Sequence, residues 1–312
     1  EVAKMAVIIV TAFILSKGQD EDGASPKAFK RIMIITGVIC LLIAPENLST
    51  AALLFGVVYL MMFIGRVAMK KLLILAGGLA GVAIIGVTFL VLTKNSDLPF
   101  LHRFDTWRAR IEKFTNDNDV PAAKFDIDKD AQIAHARIAV ATSHVVGKGP
   151  GNSVQRDFLS QAFSDFIFAI IIEELGLIGG AFVVFLYVCL LIRVGRIAKK
   201  CERTFPAFLI IGIALLLVSQ AVFNMMVAVG LAPVTGQPLP LISKGGTSTL
   251  INCAYIGMIL SVSRYTARLE EQKEHDALIP MQVEVPAEET NSDAQTAAEP
   301  TAKVLNRDAE FE

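Results

Sequence analysis

This chain predicts an all-α bundle of membrane-spanning helices carrying one large loop on the outer face. Three features lead there. Of the 312 residues, 54% are hydrophobic and only 19% charged, a balance foreign to an ordinary soluble domain of that length. The apolar residues fall in long runs at 2–16, 32–43, 50–65, 72–93, 166–192, 207–230 and 247–263, most of them near the ~20 residues that cross ~30 Å of hydrocarbon. Lys and Arg crowd every second connection between those runs. The expected organisation is four spans over 1–93, an extracytoplasmic loop over 94–164, three spans over 165–263 and a disordered cytoplasmic tail over 264–312.

The first run begins at EVAKMAVIIV with neither the basic flank nor the cleavage site of a signal peptide, so further helices are expected upstream. The second, 32–43, is short and needs the flanking stretch from Lys27 to Ala44 to reach across. The connections at 17–31, 66–71 and 193–205 carry Lys17, Lys27, Lys30, Arg31, Arg66, Lys70, Lys71, Arg193, Arg196, Lys199, Lys200 and Arg203, while those at 44–49 and 231–243 carry no basic residue. Basic residues held in short loops mark the cytoplasmic side, which fixes the orientation and leaves the C-terminus inside.

By the same alternation 94–164 lies outside, since long loops translocate regardless of charge. Within it AQIAHARIAVATSHVV, 131–146, repeats apolar residues at helical spacing; a helix lying on the membrane surface and a helix packing on the bundle both fit. The last residues are rich in Glu, Ala, Pro and Thr, a composition too poor in apolar side chains to fold alone. Cys40, Cys189, Cys201 and Cys253 show neither disulfide nor metal spacing, and His102, His135 and His144 show no ligand pattern. The net charge of -1 and the topological use of the basic residues give no reason to expect a nucleic-acid partner.

Three carboxylates stand in or beside the fifth run. Asp165 falls at the outer mouth of its helix, where it can cap free N–H groups and meet the positive end of the helix dipole; on pattern alone an N-cap is the plainer reading. Glu173 lies about 12 Å further down and roughly on the same side, with Glu174 pointing away. An ionised group at that depth costs at least ~2.5 kcal/mol, so both are expected to face protein or a polar cavity, in a structural role or a functional one. Gly176 and Gly180, spaced as GxxxG, are expected to let another helix approach.

A second irregular stretch, GLAPVTGQPLPLISKGGTST, 230–249, falls on the same outer side. Its prolines forbid continuous helix, and such backbone is tolerated at membrane depth only where protein or a cavity lines it. Lys244 followed by Gly245, Gly246 and Thr247 opens an inward-running helix, an arrangement suited to phosphate; simple snorkelling of Lys244 is the alternative. Asp165 and this helix start together imply an outward-facing cavity for a substrate with phosphate and a lipid tail, with a carboxylate for proton transfer.

SDFIFAIIIEELGLIGG, 164–180, and PVTGQPLPLISKGGTS, 233–248, resemble the signature pair of the SEDS family (shape, elongation, division and sporulation), the polytopic peptidoglycan glycosyltransferases. EVAKMAVIIVTAFIL resembles the family's "SE-LAK" segment, and IAPENLSTAALL, 43–54, is a degraded form of its "QPDLGTA" segment. GKGPGNSVQRDFLSQAFSDFIF, 147–168, is closer to the division branch than to the elongation branch. The resemblance implies the fourth to tenth spans of a ten-span protein in the bacterial inner membrane, at the division septum. It implies polymerisation of lipid II with release of undecaprenyl pyrophosphate, beside a class B penicillin-binding transpeptidase and other division proteins.

The family's essential aspartate falls on Asp165, so the resemblance selects the catalytic role over the N-cap. It leaves the cofactor open, a divalent cation such as Mg2+ being one option. Lys244 stands where the family usually has Tyr, and Asn47 where it has Asp. Beyond Lys244, Gly245, Gly246 and Thr247, the substrate-contact candidates of the outer loop are Arg108, Gln132, Arg137, Lys148 and Arg156. A flippase for the same lipid-linked precursor is the alternative from another class, and it would need polar access from both faces.

Overall fold

Local sequence signals start and stop the helices. In the computed structural model, which describes residues 1–20, 23–92, 127–159 and 162–283, α1 (Val2–Lys17) ends at Gly18 and a hairpin of two two-residue strands, β1 (Gln19–Asp20) and β2 (Gly23–Ala24), turns the chain back. Ser25 then caps α2 (Pro26–Ile43), accepting a hydrogen bond from Ala28 N with Pro26 in the first turn. The helix thus takes in the flank that its short apolar run needed. Asn47 caps α3 (Leu48–Ile64) by accepting from Thr50 N at 3.1 Å. Next come α4 (Met69–Leu92), the loop helix α5 (Ile127–Thr142), a single 3-10 turn (Gln155–Phe158), α6 (Ile167–Lys200), α7 (Thr204–Ala228) and α8 (Gly246–Val283). Each of the seven apolar runs has become a helix. Among the described residues, Ile167–Lys200, Thr204–Ala228 and Gly246–His275 are long and apolar enough to cross a membrane by length and composition, with Leu48–Ile64 a shorter apolar helix.

The core centres on α7. Ile210, Ile213, Ala214, Leu216 and Leu217 are fully buried and pack with Ile8, Ala12 and Leu15 of α1 and Leu54, Val57 and Met61 of α3. Gly212 makes the close approach possible, since a Cβ there would lie 2.6 Å from Met61 Cε and 2.9 Å from Ile8 Cγ2. Outward-facing positions stay apolar, as on α2 (Leu41, Leu42) and α4 (Leu73, Ile74), which is the surface that lipid rather than water accepts.

The connections sort to two ends. At one, Ala24 N donates to Arg66 O at 3.2 Å, Gln19 Nε2 to Gly65 O at 2.8 Å, and Cys201 Sγ lies 3.4 Å from Thr266 Oγ1; this is the end of the basic loops. At the other, the 44–50, 143–159, 162–165 and 229–246 segments meet. α5 packs on the bundle instead of merely lying on a surface, burying Ala136 and Ala139 in a second cluster with Phe166, Ala169 and Ala228.

The last helix, α8, runs to Val283, where ARLEEQKEH, 267–275, is rich in strong helix formers; residues 284–312 of the expected tail lie outside the described residues. One expectation is corrected: the Gly176–Gly180 pair receives no second helix at Gly176. There α6 breaks, with Gly176 at φ 73° and ψ -171°, and the loop backbone enters the gap. Lys148 N and Gly149 N donate to Glu173 O and Glu174 O at 3.0 and 2.8 Å, while Leu177 N and Ile178 N donate to His144 O and Val145 O at 3.4 and 3.3 Å. The groups that a broken helix leaves bare are thereby paired.

The crossing leaves no room for side chains: a Cβ on Gly147 would lie 2.3 Å from Gly176 N, and one on Gly176 would lie 2.2 Å from Val145 O. Gly147→Ala and Gly176→Ala are each expected to lower stability by more than about 2 kcal/mol. Gly56→Ala, whose Cβ meets nothing within 4 Å, is the neutral control, and thermal melts of detergent-purified protein check the contrast.

Candidate functional site

Asp165 does not cap its helix. The N-cap position of α6 is Phe166, which makes no side-chain cap bond, because the chain enters through turns at 162–165 and becomes helical only at Ile167. The half-buried carboxylate accepts from Ser164 Oγ at 3.0 Å through Oδ1. Its Oδ2 accepts no hydrogen bond among the described residues and faces Gly236, whose missing Cβ would sit 3.7 Å away.

What holds Asp165 in place is the proline-rich stretch that follows α7. Asn224 Nδ2 donates both to Asp165 O and to Gln237 O, each at 2.8 Å. Gln237 Nε2 reaches Thr50 Oγ1 at 2.6 Å, and Gln220 Nε2 reaches Pro238 O at 3.3 Å. Tyr187 OH donates to Pro240 O. Ser243 Oγ donates to Ser164 O at 2.5 Å and accepts from Leu239 N at 2.7 Å. Between these anchors Leu241 is held at φ 68°, a strained conformation for a branched side chain that only a clamped turn sustains.

Lys244 follows directly. Its backbone N donates to Phe163 O at 2.8 Å, which sets the start of α8 beside the Asp165 segment. The Lys244 side chain is exposed and makes no hydrogen bond or ion pair among the described residues. Gly246 has nothing within 4 Å of a would-be Cβ and Gly245 only Ser248 Cβ at 3.4 Å, so the helix start with exposed Thr247 is open on its outer side. The backbone thus sets the Lys244–Thr247 helix start beside the segment that carries Asp165. Together they offer an acceptor for a proton and a cationic, N–H-rich seat for an anion.

Glu173 is fully buried and its carboxylate is saturated. Lys148 Nζ donates at 2.6 Å, Ser153 Oγ at 2.5 Å, and Val154 N and Gln155 N at 3.3 Å each. Lys148, expected among the substrate contacts, has its ammonium engaged with Glu173 and makes a lesser bond to Thr142 Oγ1 at 3.3 Å. Glu174 is half-buried, and its carbonyl rather than its carboxylate meets the loop.

The remaining candidates scatter. Arg156 Nε pairs with its exposed neighbour Asp157 at 3.3 Å. Arg137 lies with Nε 3.1 Å from the place a Gly230 Cβ would occupy, at the end of α7. Gln132 is half-buried on α5. His135 bonds Gln155 Oε1 at 2.6 Å and stacks on Phe158 with centroids 5.1 Å apart. Arg108 and His102 lie outside the described residues. Among the described residues no three His, Cys, Asp or Glu side chains gather at metal-ligand distance, and all four cysteines are free.

The amides Gln220, Asn224 and Gln237 escaped the sequence reading. Their signal was present: Gln220 and Asn224 interrupt an otherwise apolar run four residues apart, hence on one helix face.

The family model described as Cell cycle protein, FTSW_RODA_SPOVE, matches residues 1–268. A Geobacter sp. (strain M18) protein named probable peptidoglycan glycosyltransferase FtsW is 33% identical over 266 residues, which are 84% of this chain and 67% of that protein. The Bacillus subtilis (strain 168) protein of the same name is 28% identical over 286 residues, 90% of this chain and 68% of its own. This chain spans about two thirds of the length of these relatives. Two solved structures share the fold. One comes from a peptidoglycan synthase complex that coordinates polymerization and crosslinking, with TM-score 0.62, 24% identity and coverage of 84% of this chain and 68% of that one. The other is a crystal structure of a mutant of the Thermus thermophilus rod shape determining protein RodA, with TM-score 0.52, 21% identity and coverage of 84% and 64%.

Glu173→Leu strands an ammonium, a hydroxyl and two N–H groups, and is expected to destabilise by about 3 kcal/mol. Adding Lys148→Met should recover part of that loss, so a double-mutant cycle read by thermal unfolding should give a coupling above about 1 kcal/mol.

Proposed function

The chain belongs to the cell cycle protein family of FtsW, RodA and SpoVE, and from that membership we propose that it is a peptidoglycan glycosyltransferase that joins lipid II units during division. The observation that carries the reading is Asp165, whose backbone carbonyl is tied to Asn224, whose Oδ2 accepts no hydrogen bond among the described residues, and whose segment lies beside the Lys244 helix start.

In the proposed reaction Asp165 takes the proton from the hydroxyl of the incoming sugar as its oxygen forms the new glycosidic bond. The bond to pyrophosphate breaks, and undecaprenyl pyrophosphate leaves with the electron pair. Lys244 and the first N–H groups of α8 stabilise the charge that develops on it. Asp165 also offers a hard oxygen of the kind Mg2+ takes together with substrate phosphates; a bound cation would supply further neutralisation of the leaving group.

The chain is read as seven spans in the bacterial inner membrane at the septum, with 94–164 outside and the C-terminus in the cytoplasm. Its partners would be lipid II and a class B penicillin-binding transpeptidase, the second reading drawing support from the fold shared with a polymerising and crosslinking synthase complex. A flippase would need polar access from both ends, whereas the polar clamp lies at one end and the α1, α3 and α7 interior beneath it is predominantly apolar.

Asp165→Ala in the full-length protein is expected to abolish glycan polymer made from purified lipid II, a fall of at least about 100-fold, with lipid II binding kept within a few-fold. Continued polymer formation would remove the assignment. Lys244→Ala should raise the KM for lipid II several-fold and weaken its salt dependence; unchanged turnover at every lipid II concentration would show that Lys244 only snorkels.

A further inference from the structure

A general base is useful only if its oxygen stands where the substrate proton will be, and Asp165 has no helical hydrogen bond of its own to place it. The group that ties its backbone down is on another element. Asn224, 1% exposed, gives both N–H bonds of one nitrogen to two carbonyls, Asp165 O and Gln237 O. That bridge joins the entry to α6 to the stretch that ends in Lys244, and of the bonds between them, with Ser243 to Ser164 O and Lys244 N to Phe163 O, it is the one made to Asp165 itself.

Chemistry restricts what can stand there. A primary amide supplies two diverging donors from one atom; a carboxylate supplies neither, and an alkyl side chain of the same size supplies neither. The residue is also expensive. Asn224 Oδ1 is buried and unpartnered, as is Gln237 Oε1, in a helix whose neighbouring positions Ala221, Met225 and Ala228 are buried and apolar. A leucine would pack at this depth without that penalty, so packing alone does not account for an asparagine.

We infer that Asn224 is a positioning residue of the glycosyl transfer, holding the Asp165 carboxylate at its working distance from the Lys244 helix start. The inference rests on the reading of Asp165 as the general base.

The test is steady-state lipid II polymerisation by the full-length protein, with wild type, Asp165→Ala, Asn224→Ala and Asn224→Asp assayed side by side and folding followed by thermal melt. Asn224→Ala is expected to keep KM within about threefold while kcat falls about 100-fold, the size of loss that a misplacement near 1 Å produces. Asn224→Asp distinguishes positioning from bulk: its neutral acid regains one donor, so the ratio of its kcat to that of wild type should rise as pH falls from about 8 to about 6. An Asn224→Ala kcat within about threefold of wild type, or a loss carried by KM alone, overturns the inference while an inactive Asp165→Ala leaves the base assignment standing. If Asn224→Ala does not fold, a pH-independent ratio for Asn224→Asp overturns it. Polymer made by Asp165→Ala would sink the base assignment and this inference with it.

Discussion

Inside a bilayer no water arrives to pair a backbone group that loses its helical partner. This protein leaves the helical path twice near one end, and each time another segment must supply the missing bonds. At Gly176 the supplier is the 144–149 backbone, laid into the break like a strand. In the 233–244 stretch it is a set of side chains, Tyr187 from α6 and Gln220 and Asn224 from α7. The two irregularities are linked through α6, whose N-terminal turns between Asp165 and Gly176 lie under both.

Pairing on this scale also makes the outer end stiff. The carbonyls of Phe163, Ser164 and Asp165 are each bound in succession, so the segment before α6 has little freedom to swing. Asn47, standing where the family usually has Asp, caps α3 as an aspartate would and so presents Thr50 to Gln237. The substitution keeps an acceptor oxygen and discards a charge. A role for that position in shaping the clamp survives the change, whereas a role that needs a negative charge does not.

The helices were legible because hydrocarbon imposes long apolar runs, and the sorting of the connections was legible because basic residues mark every second one. The 240s helix start could be read for the same local reason, since GGT after a proline-rich stretch can begin a helix and do little else. What could not be read depended on a partner far along the chain. Gly176 looks like half of a helix-packing pair until Gly147 is seen against it. Lys148 looks like a free loop cation until Glu173 is seen beneath it. Asp165 looks like a cap because the residues after it are uniformly apolar, yet the helix begins beyond Phe166. Gln220 and Asn224 were visible as polar intrusions, but their carbonyl partners lie in a loop whose course no periodicity encodes.

The three carboxylates near α6 are ultimately told apart by what surrounds them rather than by depth. Glu173 has four donors on two oxygens, which leaves no lone pair directed at a substrate and makes it a structural anchor for the outer loop. Glu174 contributes through its backbone, with Gly149 N on its carbonyl. Asp165 keeps Oδ2 without a donor among the described residues while its carbonyl is fixed by Asn224 of α7. A transferase needs one such group, because the acceptor hydroxyl must lose a proton while the pyrophosphate leaves without needing one. A glycoside hydrolase would need a second carboxylate across the bond, and the buried Glu173 is occupied by its own donors.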